Sequence, residues 1–409
     1  MQRSFITNDA DFSKGVNEPV KSLVFAICML LVLTHSASAG ELTVEWEMIR
    51  LTNRLSVEAS LPILERAQVD LGIAAFGRMQ DLDAFGTEVW KAGLHYDVTD
   101  HLEVFVGRLD TTVGRARRSS LLLNPGQNTF LQAGYSFGGS QWNYTKLHGD
   151  LAVAEDYKRL GLHYLDWQVL PQLAFGVGEA VVTDSSFPGD FIFDRGPFVP
   201  YYAAKYMPGV SSVPNNALVM VDAQYTWEDL AFYGEFLVNE FPMVPDAGNP
   251  PLWGLVVGVE GPWWLVEYSR VGNYAYSNGN LDTTYSLDQA SIGHPLGDDV
   301  QELWLEVRGS LNQWDIQWKG GAFFRGFGAE DDGSRQLIKW DRTRMAEQPF
   351  MAGIPEYHYG LHADAAVAMP QGFELGANIE VAYVTQFEHR EDTTGVAYRA
   401  ALRAVIPLF

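Results

Sequence analysis

The feature that most constrains the fold of this chain is a short stretch in which apolar and polar residues alternate one by one. Such stretches recur from residue 42 to residue 406. Four of the clearest have apolar faces at Leu42, Val44, Trp46 and Met48; at Trp90, Ala92, Leu94, Tyr96 and Val98; at Val219, Val221, Ala223, Tyr225 and Trp227; and at Tyr398, Ala400, Leu402, Ala404 and Ile406. Successive side chains of a β-strand point to opposite faces, so the pattern predicts strands with one apolar and one polar face. After residue 40, no apolar stretch reaches the roughly 18 residues of a membrane-spanning helix.

Turn signals separate these alternating segments. They occur at Thr99-Asp100, Gly138-Gly139, Pro171-Gln172, Glu228-Asp229, Gly261-Pro262, Asn312-Gln313 and Pro370-Gln371-Gly372. Each interval between successive turns has room for two strands of about 10 residues and one longer loop, as in outer-membrane barrels. The sequence therefore predicts an all-β fold, a transmembrane antiparallel up-and-down β-barrel of roughly 18 strands with short periplasmic turns and long external loops. A large secreted β-sandwich or propeller is the alternative architecture.

Aromatic content and net charge bear on the same choice. The chain has 12 Trp, 18 Tyr and 23 Phe, and a transmembrane barrel places aromatic residues in girdles at both membrane interfaces. Its formal net charge of −23 argues against nucleic acid as a partner, because polyanions repel each other. The composition thus favours a barrel in contact with outer-membrane lipid, and an acidic lumen would favour cations.

The N-terminal segment has the composition of a secretory signal peptide. Residues 22–33 are almost wholly apolar, Lys21 precedes them, and Ala37-Ser38-Ala39 provides a cleavage site of small residues. A buried core helix is the rival interpretation of the apolar run. The predicted organisation is a signal peptide over residues 1–39, with a true start near Val20 as an alternative, followed by a single barrel domain over residues 40–409. Cys28 lies within the signal peptide, so the exported chain has no thiol.

Function in such a barrel depends on the long loops and the lumen, because the strands form the scaffold. The predicted long loops are Asp110–Gln127, Thr183–Asn215, Asn273–Asp299 and Gly328–Glu356. The second loop contains FIFDRGPFVPYYAAKYMPG, in which Arg195 and Lys205 lie among aromatic residues that include Tyr201, Tyr202 and Tyr206. Aromatic faces beside cationic donors suit sugar rings with acidic substituents. The alternative is that this loop folds into the lumen as a plug or constriction.

Five stretches of the chain resemble the Wzi-type capsule-assembly family of outer-membrane proteins. They are VGRARRSSLLLNPGQN from residue 113, GLHYLDWQVLPQLAFGVGEAVV from residue 161, PYYAAKYMPGVSSVPNN from residue 200, VEYSRVGNYAYSN from residue 266 and IGHPLGDDVQELWLEVRG from residue 292. The resemblance implies a barrel of about 18 strands that holds or assembles surface polysaccharide as a lectin rather than as an enzyme. By position, it makes eight residues candidates for glycan contact or lumen closure: Arg195, Tyr201, Tyr202, Tyr206, Arg270, Tyr274, Tyr276 and His294. The chain departs from the family in moving almost directly from the signal peptide into its first strand, and in keeping a glycine-proline-glycine region only in part, as Pro125-Gly126.

Two functions from different classes fit this sequence. The first is a non-catalytic, lectin-like outer-membrane barrel that binds, anchors or helps assemble capsular polysaccharide or exopolysaccharide. The second is a passive, cation-preferring porin, which lumen-facing carboxylates at Glu45, Glu47 and Asp222 would favour. No enzyme is predicted, because no nucleophile motif accompanies the histidines, and His358 and His362 lie four apart in a strand pattern rather than on a helix. The sequence predicts no cofactor and no metal site, and it leaves the oligomeric state open.

Overall fold

The computed structural model describes residues 40–49, 52–78, 81–126, 129–151, 158–183, 215–239, 252–277, 283–287, 290–329 and 350–408. The predicted signal peptide over residues 1–39 lies outside the described residues. So do five residues of the predicted basic and aromatic loop, namely Arg195, Tyr201, Tyr202, Lys205 and Tyr206.

In the described residues, 18 strands form one antiparallel sheet and two short strands form a separate ribbon. The strands are β1 (Gly40–Ile49), β2 (Thr52–Leu64), β3 (Ala67–Arg78), β4 (Asp81–Thr99), β5 (Leu102–Leu109), β6 (Phe130–Gly138), β7 (Trp142–Asp150), β8 (Arg159–Leu170), β9 (Leu173–Thr183), β10 (Asn215–Trp227), β11 (Leu230–Asn239), β12 (Trp253–Gly261), β13 (Trp264–Val271), β14 (Ser286–Leu287), β15 (Ala290–Ser291), β16 (Val300–Leu311), β17 (Ile316–Phe327), β18 (Glu356–Ala368), β19 (Glu374–Thr385) and β20 (Thr394–Leu408). The ribbon consists of β14 and β15. The described connections also contain short 3-10 helices at Asn312–Trp314, Pro370–Gly372 and Phe387–His389.

The sheet closes on itself. β20 pairs with β1 along the whole length of β1, with Trp46 opposite Leu402 and Gly40 opposite Leu408. Closure removes the free strand edges that an open sheet would expose, so the backbone groups of the first and last strands find partners in each other. No helix in the described segments is long and apolar enough to cross a membrane.

The predicted turns each join two strands that pair with each other. Thr99-Asp100 connects β4 with β5, and Glu228-Asp229 connects β10 with β11. Glu228 adopts a positive φ of 52°. A central residue with positive φ is typical of two-residue hairpin turns such as this one. A further turn at Glu65-Arg66 joins β2 and β3. Sequence reasoning missed it, because neither residue is among the usual turn formers.

The seven predicted turns and the Glu65-Arg66 turn lie together at one end of the barrel, which we call the turn end, and the four predicted long loops lie at the opposite loop end. The four predicted long loops correspond to the connections from β5 to β6, β9 to β10, β13 to β16 and β17 to β18. Residues 184–214 in the second connection and residues 330–349 in the fourth lie outside the described part of the chain.

The predicted alternation separates the outside of the barrel from its lumen. On β10, Val221 and Trp227 are 48% and 58% exposed, whereas Met220 and Asp222 are 0% and 4% exposed. Apolar side chains therefore point outward, and the inward face carries polar or closely packed side chains. This is the arrangement expected of a transmembrane barrel.

The lumen divides into two halves. Two segments enter the lumen between β5 and β16: residues 110–129, which we call the arginine loop, and residues 272–299, which we call the tyrosine loop. Their described residues fill this part of the lumen. The described residues of both loops pack into one large apolar cluster with the wall. We call this side the filled half. Along β17 to β20 and β1 to β4 the wall carries ion pairs such as Lys91 with Glu58, at 2.5 Å. We call this side the charged half.

Candidate functional site

The arginine loop is bound to the barrel wall through its backbone. Glu235 on β11 accepts hydrogen bonds from the backbone N–H groups of Arg115 (2.5 Å), Ala116 (2.6 Å) and Leu121 (2.8 Å). Glu235 is only 1% exposed, so these donors supply the partners that a buried carboxylate needs. Gly114 has a φ of 131°, and a Cβ at this position would collide with the Glu235 carboxylate. Only glycine fits this turn of the loop.

A second wall carboxylate binds the next residues of the same loop. Glu267 on β13 accepts hydrogen bonds from the backbone N–H groups of Arg117 (2.9 Å) and Arg118 (3.3 Å) and from the Tyr233 hydroxyl (2.7 Å). Removing one partner from a buried charged network of this kind typically costs about 3–5 kcal/mol. Two carboxylates on different strands therefore hold the arginine loop in place inside the lumen.

The arginine side chains add ion pairs across the lumen. Arg115 donates from Nε to Asp222 at 2.6 Å and from Nη2 to Asp166. Arg117 donates from Nε to Glu260 at 2.7 Å. Asp222 faces the lumen, as the alternation on β10 predicts. The loop thus neutralises wall carboxylates that an open pore would present to water.

Three leucines give the arginine loop an apolar anchor as well. Leu121, Leu122 and Leu123 are fully buried against the wall and the tyrosine loop. Gly178 on β9 leaves room for Leu122, because a Cβ at position 178 would collide with that side chain. Full burial of a leucine stabilises a fold by roughly 1.5–3 kcal/mol. The loop is therefore held by apolar packing together with hydrogen bonds.

The tyrosine loop covers the arginine loop and contacts its backbone. The Tyr276 hydroxyl donates to the Leu121 carbonyl oxygen at 2.8 Å, and the Tyr285 hydroxyl donates to the Leu122 carbonyl oxygen at 2.5 Å. The two tyrosine rings stack with their centroids 5.8 Å apart. Burial raises the pKa of both hydroxyls, so each remains protonated and able to donate.

His294, in the same loop, is held in its neutral form. Its Nδ1 accepts a hydrogen bond from the backbone N–H of Leu296 (3.2 Å), and its Nε2 lies 2.9 Å from the Ser269 hydroxyl. An Nδ1 that accepts a hydrogen bond assigns the ring proton to Nε2. The backbone N–H of His294 donates to the Tyr276 hydroxyl at 2.9 Å. Complete burial lowers the pKa of His294 to about 4, so the imidazole is uncharged at neutral pH.

The structure brings together three of the residues that the sequence singled out. Tyr274, Tyr276 and His294 all lie in the interior of the filled half and are almost completely buried. Arg270 is separate from them, because it lies on the outward face of β13 with its guanidinium carbon 3.8 Å from the centroid of the Phe350 ring. The other candidates lie outside the described residues; they are Arg195, Tyr201, Tyr202, Lys205 and Tyr206.

Sequence reasoning did not select the residues that hold the arginine loop. Arg115, Arg117 and Arg118 lie in the stretch VGRARRSS, and their acceptors lie on the polar faces of distant strands. The signal that could have found them is the occurrence of three arginines within four residues of a loop, in a chain with a net charge of −23. A basic cluster opposite an acidic wall favours insertion into the lumen.

A cavity of about 580 Å³ lies near the loop end, between the arginine loop and the wall from β16 to β20. Its lining includes Arg117, Arg118, Glu302, Arg325, Glu380 and Arg399. Arg325 donates from Nε to Glu302 at 2.7 Å and from Nη1 to Glu380 at 3.1 Å. Among the described residues, no group of three or more His, Cys, Asp or Glu is arranged to hold a metal ion.

Comparison with solved structures shows which proteins share this fold. One is Wzi of Escherichia coli, an outer-membrane protein involved in group 1 capsule assembly and a carbohydrate-binding β-barrel. It aligns with a TM-score of 0.65 and 12% sequence identity over 96% of this chain and 89% of that chain. Another is OccD3 (OpdP) of Pseudomonas aeruginosa, with a TM-score of 0.51 and 9% identity over 90% of this chain and 91% of that chain. No protein-family model and no curated protein matches the sequence.

These findings define the chain as an outer-membrane β-barrel. It has 18 antiparallel strands in a closed sheet, and it shares its fold with a known outer-membrane protein. The predicted fold class and the predicted location in the bacterial outer membrane are both confirmed, and the fold is Wzi-like. In barrels of this class the short turns face the periplasm and the long loops face outward. The loop end is therefore the outer end, and the arginine and tyrosine loops fill the lumen from outside.

Proposed function

We propose that this protein is a non-catalytic, lectin-like barrel that binds surface polysaccharide and helps to anchor or assemble it on the outer membrane. The observation that carries the proposal is the arginine loop, which five wall carboxylates hold inside the lumen. A barrel that conducts solutes needs an open lumen. A barrel filled from its outer end instead presents a fixed surface to ligands outside the cell.

The similarity in fold supports the same proposal. Wzi of Escherichia coli is a carbohydrate-binding barrel involved in capsule assembly. Of the stretches in this chain that resemble the Wzi-type family, the one from residue 113 lies in the arginine loop, and those from residues 266 and 292 extend into the tyrosine loop. The class of ligand that follows from this similarity is capsular polysaccharide or exopolysaccharide.

The proposed contact surface is the basic and aromatic stretch from residue 191 to residue 209. It belongs to the connection between β9 and β10 at the loop end, and it contains Arg195, Tyr201, Tyr202, Lys205 and Tyr206. Aromatic rings offer apolar faces to sugar rings at low cost in conformational entropy, and cationic side chains donate hydrogen bonds to sugar oxygens. The stretch therefore combines both kinds of contact that a glycan requires.

A passive porin is the second candidate, and the charged half of the lumen favours it. The wall there carries exposed polar groups that no loop covers in the described structure, such as the ion pair between Arg403 and Glu374. The two candidates differ in their behaviour in a planar bilayer. A porin gives stable conductance steps, whereas a barrel closed by its loops gives none.

The double replacement Tyr201→Ala and Tyr202→Ala tests the proposed contact surface. It removes two aromatic faces from the outer loop, so we expect most of the surface polysaccharide to be lost from the cell while the barrel remains folded in the membrane. The measurement compares cell-bound with released polysaccharide in cells that express each variant as the sole copy. Folding is checked on gels, on which the heated, unfolded chain migrates more slowly than the unheated, folded barrel.

A matched control replaces two tyrosines on the outward wall, Tyr225→Ala and Tyr383→Ala, which are 49% and 53% exposed. These cells are expected to retain their polysaccharide. Normal retention by the Tyr201 and Tyr202 variant would show that the proposed surface does not bind the glycan.

A further inference from the structure

Arg118 differs from its neighbours in the arginine loop because it forms no ion pair among the described residues. Arg115 and Arg117 donate to Asp222 and Glu260 at 2.6 Å and 2.7 Å. The described residues include no such acceptor for the Arg118 guanidinium, and its buried Nε has no hydrogen-bond partner among them. A guanidinium has five N–H donors and no acceptor, so the buried Nε–H of Arg118 is a donor that the described residues leave unmet.

The position of Arg118 is nevertheless fixed. Its guanidinium carbon lies 3.2 Å from the centroid of the Trp304 ring, which is a stacked cation–π contact. Its backbone N–H is bound by Glu267. Trp304 contacts one face of the guanidinium, and the N–H donors lie on its edges. These edges remain available to the cavity that Arg118 lines.

The carboxylates that line the same cavity already have cationic partners. Arg325 donates to both Glu302 and Glu380, at 2.7 Å and 3.1 Å. Arg399, another residue of the lining, pairs with Glu47 on β1. These acids are therefore engaged with the wall, and Arg118 is the lining arginine that forms no ion pair in the part of the chain that the structure describes.

We propose that this cavity is a subsite for the carboxylate of an acidic sugar, such as a hexuronic acid residue, with Arg118 as the group that binds the carboxylate. The volume of about 580 Å³ lies within the roughly 300–1,000 Å³ of typical small-molecule sites. The cavity is also lined by Phe323, which offers an apolar ring to the sugar. The inference rests on the proposed polysaccharide function for the class of ligand, and on the structure for the site.

The test uses the full barrel purified in detergent micelles and two sugars of similar size, sodium glucuronate and glucose. Binding is measured by isothermal titration calorimetry. We expect glucuronate to bind at least tenfold more tightly than glucose, and we expect Arg118→Gln to weaken glucuronate binding at least tenfold. The matched control is Arg403→Gln, since Arg403 pairs with Glu374 near the turn end, away from this cavity. This variant is expected to bind glucuronate as the wild type does.

A second variant keeps the test decisive if Arg118→Gln does not fold. Ala397 lines the cavity from β20, and Ala397→Trp fills the space without removing an arginine. It is expected to abolish glucuronate binding. The subsite is overturned if the wild type does not bind glucuronate, if glucose binds equally well, or if either variant binds glucuronate as the wild type does.

The two proposals can fail separately. If Arg118 is required for glucuronate binding while the Tyr201 and Tyr202 variant retains its polysaccharide, the subsite stands and the proposed contact surface does not. If glucuronate does not bind while that variant loses its polysaccharide, the subsite alone is overturned.

Discussion

The two halves of the lumen satisfy their buried carboxylates in different ways. In the filled half, Glu235 and Glu267 bind the backbone of the arginine loop. In the charged half, Glu47 pairs with Arg399 on the adjacent wall strand β20. Glu47 would therefore keep its partner without any loop, whereas Glu235 and Glu267 depend on one. Glutamates on the same barrel wall therefore have two roles. Some pair with an arginine of a neighbouring strand, and others hold the loop that fills the lumen.

The largest expected effect follows from removing the arginine loop. Val113 and Leu123 are joined by a backbone hydrogen bond of 2.9 Å, so Gly-Gly can replace residues 114–122 without separating the ends. We expect the intact barrel to show no conductance in planar bilayers. We expect the variant without residues 114–122 to show stable conductance, at least about tenfold above background, because an emptied barrel of this size leaves an aqueous channel. The current is expected to be cation-selective, since the wall carboxylates lose their arginine partners.

An excision of equal length from the β9 to β10 connection, residues 201–209, is the control and is expected to leave the barrel silent. It also tests the alternative that this connection plugs the lumen. If this variant conducts and the variant without residues 114–122 does not, then the β9 to β10 connection closes the lumen. The difference drawn between the two halves would then be wrong.

The next largest effect concerns single carboxylates in the two halves. Glu235→Ala leaves three backbone N–H groups buried without acceptors, so we expect it to lower the free energy of unfolding by about 3 kcal/mol. Glu374→Ala in the charged half removes an exposed pair with Arg403 (2.6 Å), and such pairs contribute at most about 1 kcal/mol. Unfolding in urea, followed by tryptophan fluorescence, measures both. Equal losses would mean that the arginine loop does not stabilise the filled half.

The last effect is a pH dependence from the filled half. Because burial lowers the pKa of His294 from 6.5 to about 4, the unfolded chain takes up a proton between these values and the folded chain does not. Stability should fall as the pH falls from about 6.5 to 4, by at most about 3 kcal/mol, and this group should have no effect above that range.

His294→Gln removes this contribution, so unfolding midpoints at pH 7 and pH 4.5 should lie closer together than in the wild type. The exposed His101 at the turn end provides the control, and His101→Gln should keep the wild-type difference. An unchanged difference in the His294 variant would show that another group titrates.

The fold was predictable because its information is local. Alternation along a strand such as β10 depends on neighbouring residues, and the turn at Glu228-Asp229 depends on a pair of residues; both are confirmed. The turn at Glu65-Arg66 was missed because its two residues carry no turn signal of their own. It forms because the flanking strands pair with each other.

The site was less predictable because its contacts join residues that are far apart in sequence. The alternation indicates that Glu235 faces the lumen, but it does not show that Arg115, 120 positions earlier, is the partner. Resemblance to a family selected Tyr276 and His294, and the structure places both in the buried part of the tyrosine loop, joined by a hydrogen bond. The predicted plug over Thr183–Asn215 stays a prediction, whereas the described residues of the arginine loop and the tyrosine loop enter the lumen.

The separation between the arginine loop and its acceptors also gives the loop a place in the order of assembly. Glu235 and Glu267 follow the residues that they bind by 120 and 150 positions. While only the first few strands have paired, the loop has no acceptor to bind. Contacts of such long range form late, because they require the intervening chain to be ordered first. The arginine loop can therefore bind inside the lumen only after β11 and β13 have joined the sheet. In the unaltered chain, an empty lumen would indicate a barrel whose wall is incomplete.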